Sequence, residues 1–513
     1  MNLNKVLRPG EYEGDPIPAD VTVTGISNDG RNVAPGCLFI CHKGAKYDSH
    51  FLLPTLRETG AVAAVVSSEY VGESPDIPVF PVVDTRRAEA QIVSRFYGSP
   101  GDRLTLIGVT GTNGKTSVAT MLWHILNQTG IPCGLIGTTG FHGRVGDEDA
   151  FSRFHTGEAS TMTTPPPLTL YPLLFAMLES GITHAVMEVS SQALEQGRVA
   201  PLTFLCSVFT NLSPEHLDYH GTMTDYLTAK KILFRKTKTA VVNADSPWSD
   251  LLLDGLPCRR VSCGTLPPCD FRAASVAYEG SACVSFDCTA EGETFPVFVP
   301  IPGAFTVQNA LLALAAARVV GVERAAAVDA LSRMPIVPGR MERIDAAGFP
   351  FTILIDYAHT EAALRSLLLS VRGFCKKNER IVLLFGCGGD RDPSKRSEMG
   401  KTAETFADFV IVTSDNSRTE DPKAIIRAIL SGMKDKRKRR VIVNRERAIT
   451  YSILSARPGD VILLVGKGHE KYEIGADGAH AFDEKKIVET ALEARRTGHT
   501  MEERDADPDG QTD

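Results

Sequence analysis

The residues with the clearest chemical purpose are Gly111-Thr112-Asn113-Gly114-Lys115-Thr116-Ser117. They follow an apolar run, LTLIGVT, whose strand is expected to end at Val109, and they open an amphipathic helical stretch. Glycines let backbone N–H groups approach phosphate oxygens, and a helix N-terminus adds partial positive charge. Lys115 can reach β- and γ-phosphates, and the Thr116 hydroxyl can bind Mg²⁺. The usual GxxxxGK[ST] spacing is not met, because Val109 stands where its first glycine would be. The coincidence of lysine, threonine, strand and helix still points to a nucleoside triphosphate site. Downstream, Glu188 and His216 each follow an apolar strand, so both can reach the sheet edge where phosphates would sit. A carboxylate and an imidazole near Mg²⁺-ATP can bind the metal or its waters. The plainer reading, a polar residue at a strand end, stays open for both. Lys230 lies in a helical stretch, and by spacing alone it is a solvated lysine.

These groups need a scaffold large enough to position them. At roughly 150 residues per domain, 513 residues suggest about three domains. Hydrophobic residues at 43% and charged residues at 23% exclude disorder, collagen-like and coiled-coil architectures. A net charge of -7 argues against non-specific nucleic-acid binding, which needs a basic surplus. The N-terminus shows no apolar signal segment, and no apolar run approaches a membrane span. Eleven cysteines fit reduced thiols in a cytoplasmic protein, and the spacing of Cys258, Cys263, Cys269, Cys283 and Cys288 lacks the tight pairs of a zinc module.

Residues 1–103 mix short strands with turns and a helix expected at 85–97, then a Gly98-Ser99-Pro100-Gly101 linker. Residues 104–335 alternate apolar strands with helical stretches, which suggests a mostly parallel sheet. A second linker, Pro335-Ile336-Val337-Pro338-Gly339, leads into residues 336–500. There FTILIDYAH, RIVLLFGCGGDRD, FADFVIVTSDNSR and GDVILLVGKGHE each run from a buried strand into a polar or Gly-rich loop. Ligands of open α/β sheets bind beyond the carboxyl ends of such strands, so the four loops outline a site. The acidic tail at 501–513 is expected to be disordered. The basic run KDKRKRR at 434–440 reads as a solvated helix end before a strand rather than a nucleic-acid or membrane patch.

Across nearly the whole chain these segments resemble the Mur ligase family, the ATP-dependent ligases that build the peptidoglycan stem peptide. The resemblance rests on GTNGKTS, MEVSSQALEQGRV, FTNLSPEHLDYHG, Ala229-Lys230, PGRME, DYAH, FGCGGDRD, DNSR and GKGHE. It implies an α/β protein of three domains: a UDP-substrate domain, a P-loop ATPase-like parallel-sheet domain and a Rossmann-like amino-acid domain. It also implies that ATP phosphorylates a carboxylate of a UDP-muramoyl peptide and that an incoming amine then displaces phosphate. Lys115, Glu188, His216 and Lys230 would be catalytic. Thr116, Glu188 and His216 would hold Mg²⁺, with Lys230 carbamylated to hold a second ion. Asn309, Arg340 and Asp356 would join the glycine-rich loop in holding ATP. Ser27, Gly30, Thr163, Thr164, Ser190, Gln196 and Arg198 would contact the UDP-N-acetylmuramoyl-L-Ala-D-Glu substrate.

Arg391, Asp415, Asn416, Ser417, Arg418, Gly466 and Glu470 match the family's contacts to the incoming amino acid, with Glu470 meeting an ammonium. Meso-diaminopimelate is in effect lysine with a second carboxylate, which the Arg418 guanidinium can take in a bidentate pair. Lysine would instead bring like charge to it. Diaminopimelate is therefore the expected acceptor, and lysine the alternative. Ser417 stands where the family has proline, Gly30 where it has serine with Ser27 as a substitute hydroxyl, Thr306 where asparagine is common, and Glu361 where proline follows DYAHT. Folylpolyglutamate synthase and cyanophycin synthetase are the enzymatic rivals, and a non-catalytic nucleotide-binding scaffold is the remaining one. A cytoplasmic monomer, with no nucleic-acid partner and no membrane insertion, is expected.

Overall fold

The computed structural model describes residues 1–14, 16–18, 21–44, 47–72, 76–154 and 162–498, so the acidic tail lies outside the described residues. Three α/β units follow one another along the chain. The first is a four-stranded parallel sheet, in the order Gly25–Ser27, Cys37–Ile40, Ala61–Ser67 and Val79–Val82. Its helix, Thr85–Phe96, is capped by Asp84, whose side chain accepts from the N–H groups of Arg86 and Arg87.

The second unit carries ten strands. Its centre is parallel, in the order Arg259–Gly264, Thr237–Asn243, Phe204–Phe209, Thr105–Thr110, His184–Glu188 and Cys133–Gly137. Ile107 and Val109 face one apolar cluster with the helix Lys115–Gln128, while Leu106 faces a second with Pro167–Glu179. A strand covered on both faces carries apolar residues at successive positions, which is why these runs read as continuous. The sheet is mostly parallel, as expected, and turns antiparallel at both edges, Gly140–His142 pairing with Cys133–Gly137 at one of them. Phe271–Glu279, Cys283–Ala290 and Glu293–Val299 form an antiparallel meander, turned at Gly280 and Gly292, both with positive φ.

The third unit has the order Glu342–Ile344, Thr352–Asp356, Val461–Val465, Ile381–Phe385, Phe409–Val412 and Arg439–Val441, all parallel except the first. The four anticipated strands are thus neighbours, and their loops open on one edge. The basic run departs from expectation. It forms a 3₁₀ turn, Lys436–Lys438, and its last two arginines lie in the strand, Arg439 bound to the carbonyls of Leu430 and Met433 and Arg440 over the Tyr451 ring. No helix of the described residues is long and apolar enough to cross a membrane.

Candidate active site

The strand Thr105–Thr110 runs one residue beyond expectation, and the helix starts at Lys115 after Gly114, whose φ is 83°. Gly111 has φ 148°, and a side-chain carbon there would stand 1.9 Å from Thr210 Oγ1, so only glycine fits. The loop is braced from the neighbouring strand end: Asn113 N donates to Asn211 Oδ1 at 3.0 Å, and Thr210 Oγ1 donates to the Asn113 carbonyl at 2.6 Å. Lys115 Nζ donates to the carbonyls of Gly111 and Thr112 at 3.0 and 2.8 Å. Burial pushes its amine down, while the carboxylates of Glu188 and Glu215 pull it back up. Ser117 is buried on the first helical turn, and Asn309 reaches the loop from the helix Ala304–Val320, its Oδ1 lying 2.7 Å from where a side chain on Gly114 would begin.

Glu188 is the last residue of its strand and is buried. Its carboxylate accepts from Thr116 Oγ1 at 3.1 Å and from the Thr138 N–H at 2.8 Å. Arg340 Nη2 donates to Thr116 Oγ1 at 3.1 Å from across the cleft, and its guanidinium lies over the Tyr357 ring. Behind it, half-buried Asp356 accepts from the N–H groups of Met341 and Ala358, and desolvation by the surrounding protein pushes its carboxyl up.

His216 stands open to the cleft with left-handed backbone, φ 56°. Desolvation by the surrounding protein pushes its imidazole down to about 4, against the pull of Glu215 and with the push of Lys115 and Lys230. At neutral pH it is the uncharged form that can ligate a metal. Glu215 itself was not anticipated. Burial works against its ionisation, but a hydrogen bond from His359 Nε2 at 3.0 Å and nearby positive charge hold its carboxyl down at about 2.

Lys230 overturns the solvated reading. It is 1% exposed, donates to the Gly111 carbonyl at 3.0 Å and sits 4.4 Å above the Tyr226 ring. Burial, then the charge of Lys115, lowers its amine well below the ordinary lysine value. Tyr226 is in turn stacked on His220, which is hydrogen-bonded to Ser191 Oγ at 2.8 Å.

Thr116 and Glu188 form a hard-oxygen pair beside the phosphate loop, the donor type Mg²⁺ takes when substrate phosphates and water complete its shell. Among the described residues, no three His, Cys, Asp or Glu side chains converge as a complete cage.

Five further residues gather beside Glu188. Thr164 Oγ1 donates to the Glu188 carbonyl at 2.9 Å and accepts from the Ser190 N–H at 2.9 Å. Arg198 donates to the Thr164 carbonyl and, through Nη2, to Gln196 Oε1 at 2.7 Å. Thr163 Oγ1 is 3.1 Å from Thr138 Oγ1. On the first unit, Ser27 ends the strand Gly25–Ser27 and Gly30 opens the 3₁₀ turn that follows it. The Ser27 hydroxyl is spent on its own turn, donating to the Asp29 carbonyl at 2.9 Å.

On the third unit, Arg418 Nη1 donates to the carbonyls of Gly389 and Asn416 at 2.9 and 3.2 Å. Glu420, two residues on, is taken by Arg396 at 2.8 Å. Burial, then the charge of Arg391, pushes the Arg418 guanidinium below its ordinary value. Asn416 Nδ2 donates to Glu470 Oε2 at 2.8 Å, and buried Lys467, missed by the sequence reading, donates to Asn416 Oδ1 at 2.9 Å. Burial and then Asp415 raise the Glu470 carboxyl. Asp415 faces Gly466, where an added side chain would meet Asp415 Oδ2 at 2.6 Å. Ser417 is buried, its carbonyl closed against Gly389.

The chain matches family models described as Mur ligase family, catalytic domain at residues 22–97, Mur ligase middle domain at 109–317, and Mur ligase, glutamate ligase domain at 339–468. It is 38% identical to a UDP-N-acetylmuramoyl-L-alanyl-D-glutamate–2,6-diaminopimelate ligase of Geobacillus thermodenitrificans, covering 92% of this chain and 96% of that one. It is 36% identical to the ligase of the same name from Listeria monocytogenes, covering 96% and 99%. A solved structure of an enzyme of that name superposes with TM-score 0.67 at 30% identity over 98% of this chain and 100% of the other. The MurF ligase of Thermotoga maritima in complex with ADP shares the fold at TM-score 0.59 and 18% identity, covering 93% and 98%. With homology over nearly its whole length and the same three-unit architecture, the chain belongs to the Mur ligase family.

Proposed function

We propose that the protein is an ATP-dependent ligase that joins meso-diaminopimelate to the D-glutamate carboxylate of UDP-N-acetylmuramoyl-L-Ala-D-Glu, a step of peptidoglycan precursor synthesis. The observation that carries the acceptor is Arg418. Its guanidinium lies beside Arg391 and donates to two carbonyls, and Asp415, Glu470 and Asp390 act on it from a distance with no ion pair formed among the described residues. A second carboxylate on the acceptor supplies that missing charge.

The loop N–H groups and Lys115 hold the β- and γ-phosphates, with Asn309, Arg340 and Asp356 closing the nucleotide site. Thr116, Glu188 and His216 would hold Mg²⁺, with carbamylated Lys230 at a second ion, and the bound metal would supply positive charge to offset that on the transferring phosphoryl group. The γ-phosphoryl group passes to the D-glutamate carboxylate, giving an acyl phosphate and ADP. The acceptor nitrogen attacks the acyl carbon, and phosphate leaves from the tetrahedral intermediate. Thr163, Thr164, Ser190, Gln196 and Arg198 orient the muramoyl dipeptide, and Ser27 and Gly30 meet its UDP end. Asp415, Asn416 and Glu470 surround the acceptor ammonium. Burial and the charge of Lys115 favour the neutral Lys230 amine, the form that adds CO₂ to give a carbamate. The substrate, ATP and amino-acid domains are taken as residues 1–103, 104–335 and 336–500. A monomer in the cytoplasm is part of this reading, and the free cysteines fit that location.

The test is phosphate release from ATP with UDP-N-acetylmuramoyl-L-Ala-D-Glu, Mg²⁺ and carbonate, comparing meso-diaminopimelate with L-lysine. Release with diaminopimelate alone is expected. Release with lysine alone keeps the ligase and discards the role of Arg418, and silence with both discards the reaction.

A further inference from the structure

Arg445 is fully buried, on the first turn of the helix Arg445–Leu454. Its guanidinium makes three different contacts. Nε donates to Glu484 Oε1 at 2.8 Å, Nη2 to the Val465 carbonyl at 2.9 Å, and Nη1 to the Ser414 carbonyl at 3.3 Å. Ser414 and Val465 immediately precede Asp415-Asn416-Ser417-Arg418 and Gly466-Lys467, the two loops that bear most of the acceptor residues. The strands Phe409–Val412 and Val461–Val465 are not neighbours, because Ile381–Phe385 runs between them. Gly386 ends that intervening strand, and a side chain there would collide with the carbonyls of Thr413 and Ser414, at 2.5 and 2.8 Å. One planar cation therefore spans two strand ends across a glycine, a task suited to the fixed fork of guanidinium.

The energetics favour a positioning role over a stabilising one. Both members of the pair are buried, and Glu484 Oε2 has no hydrogen-bond partner among the described residues. A buried ion pair with an unsatisfied oxygen is seldom a net stabiliser, and apolar residues of similar volume often serve stability as well. What apolar residues cannot do is fix two carbonyls at once.

We propose that Arg445, held by Glu484, is a positioning residue that sets the spacing of the two acceptor-binding loops and thereby acceptor affinity. Its consequence for the acceptor rests on the ligase reading above, and its consequence for the loops does not. The test compares wild type, Arg445→Lys, Glu484→Gln, and Arg445→Met combined with Glu484→Met. Lysine keeps the charge but cannot reach both carbonyls, and the double methionine keeps the volume without the charges. In the two Arg445 variants KM for diaminopimelate is expected to rise about tenfold or more, with KM for ATP and the muramoyl substrate nearly unchanged. The double variant is expected to melt at or near the wild-type temperature. A folded double variant with wild-type acceptor KM overturns the proposal. Amide exchange at residues 415–418 and 466–470 is measured on the same proteins without substrate. Faster exchange in both loops is expected even if the wild type uses a different acceptor, and unchanged protection overturns the proposal whichever acceptor is used.

Discussion

At the scale of single residues, the phosphate chemistry was legible because its parts are adjacent in the chain. Lys115→Ala should lower kcat about 10³-fold with no change in circular dichroism, since one preorganised cation is lost and the core is untouched. Ligation at near wild-type rate would remove the phosphate-loop assignment. Lys230 was not legible. Its burial comes from partners as distant in sequence as Gly111, which only the folded sheet brings near. Lys230→Ala should be inactive and partly rescued by a small added carboxylic acid that stands in for a carbamate. Wild-type rates in that variant, with no rescue, would rule the lysine out. Arg418→Met should erase about 10²-fold of preference for diaminopimelate over lysine, measured as the ratio of kcat/KM values. Glu215, His359 and Lys467 escaped the sequence reading for the same reason as Lys230: their partners lie on other loops.

At the scale of elements, TILID, IVLLF, FVIV and VILLV were legible as buried parallel strands because apolar side chains cover both of their faces. The antiparallel meander was not, because Val276, Tyr278 and Phe298 are exposed apolar residues that blur its two-residue alternation. The helix Thr85–Phe96 carries a testable contact. Arg95 Nη1 donates to the Val6 carbonyl at 3.0 Å and to Glu11 Oε2 at 2.6 Å, tying the N-terminal segment to the first unit. Burial opposes ionisation of Glu11, but the Arg95 hydrogen bonds and charge outweigh it and hold the carboxyl below its ordinary value of 4.5. A carboxyl depressed in the folded state contributes stability above its unfolded value, and that contribution is lost as pH falls through the folded value. Glu11→Gln should therefore lower the melting temperature at pH 7, by the equivalent of about 1 kcal/mol at most. The gap between variant and wild type should close as the pH is lowered below 4.5. A gap that persists undiminished in acid would mean the pair is not its source.

At the scale of the whole molecule, the phosphate loop and the acceptor loops come from different units, with Arg340 and Asp356 reaching the nucleotide from the third, so turnover depends on how the second and third units meet. One apolar cluster runs unbroken from Ile107 and Val118 through Val337 and Met341 to Leu383 and Val410. The segment expected to be a free linker is thus partly packed, with Val337 in the core. Three polar contacts cross the cleft above this cluster: Arg340 to Thr116, His359 to Glu215, and His469 Nε2 to the Thr138 carbonyl at 3.0 Å. Each lands on or beside a residue of the phosphate site, so closure and assembly of that site are one event. His359→Ala removes one clasp without touching the phosphate loop or the acceptor loops. It should enlarge the radius of gyration measured by small-angle scattering and lower kcat. KM for diaminopimelate should stay near the wild-type value, because the acceptor loops stand on the third unit alone. Lower kcat with an unchanged radius would assign His359 to the chemistry itself. An unchanged kcat with a larger radius would mean that this clasp does not gate the reaction.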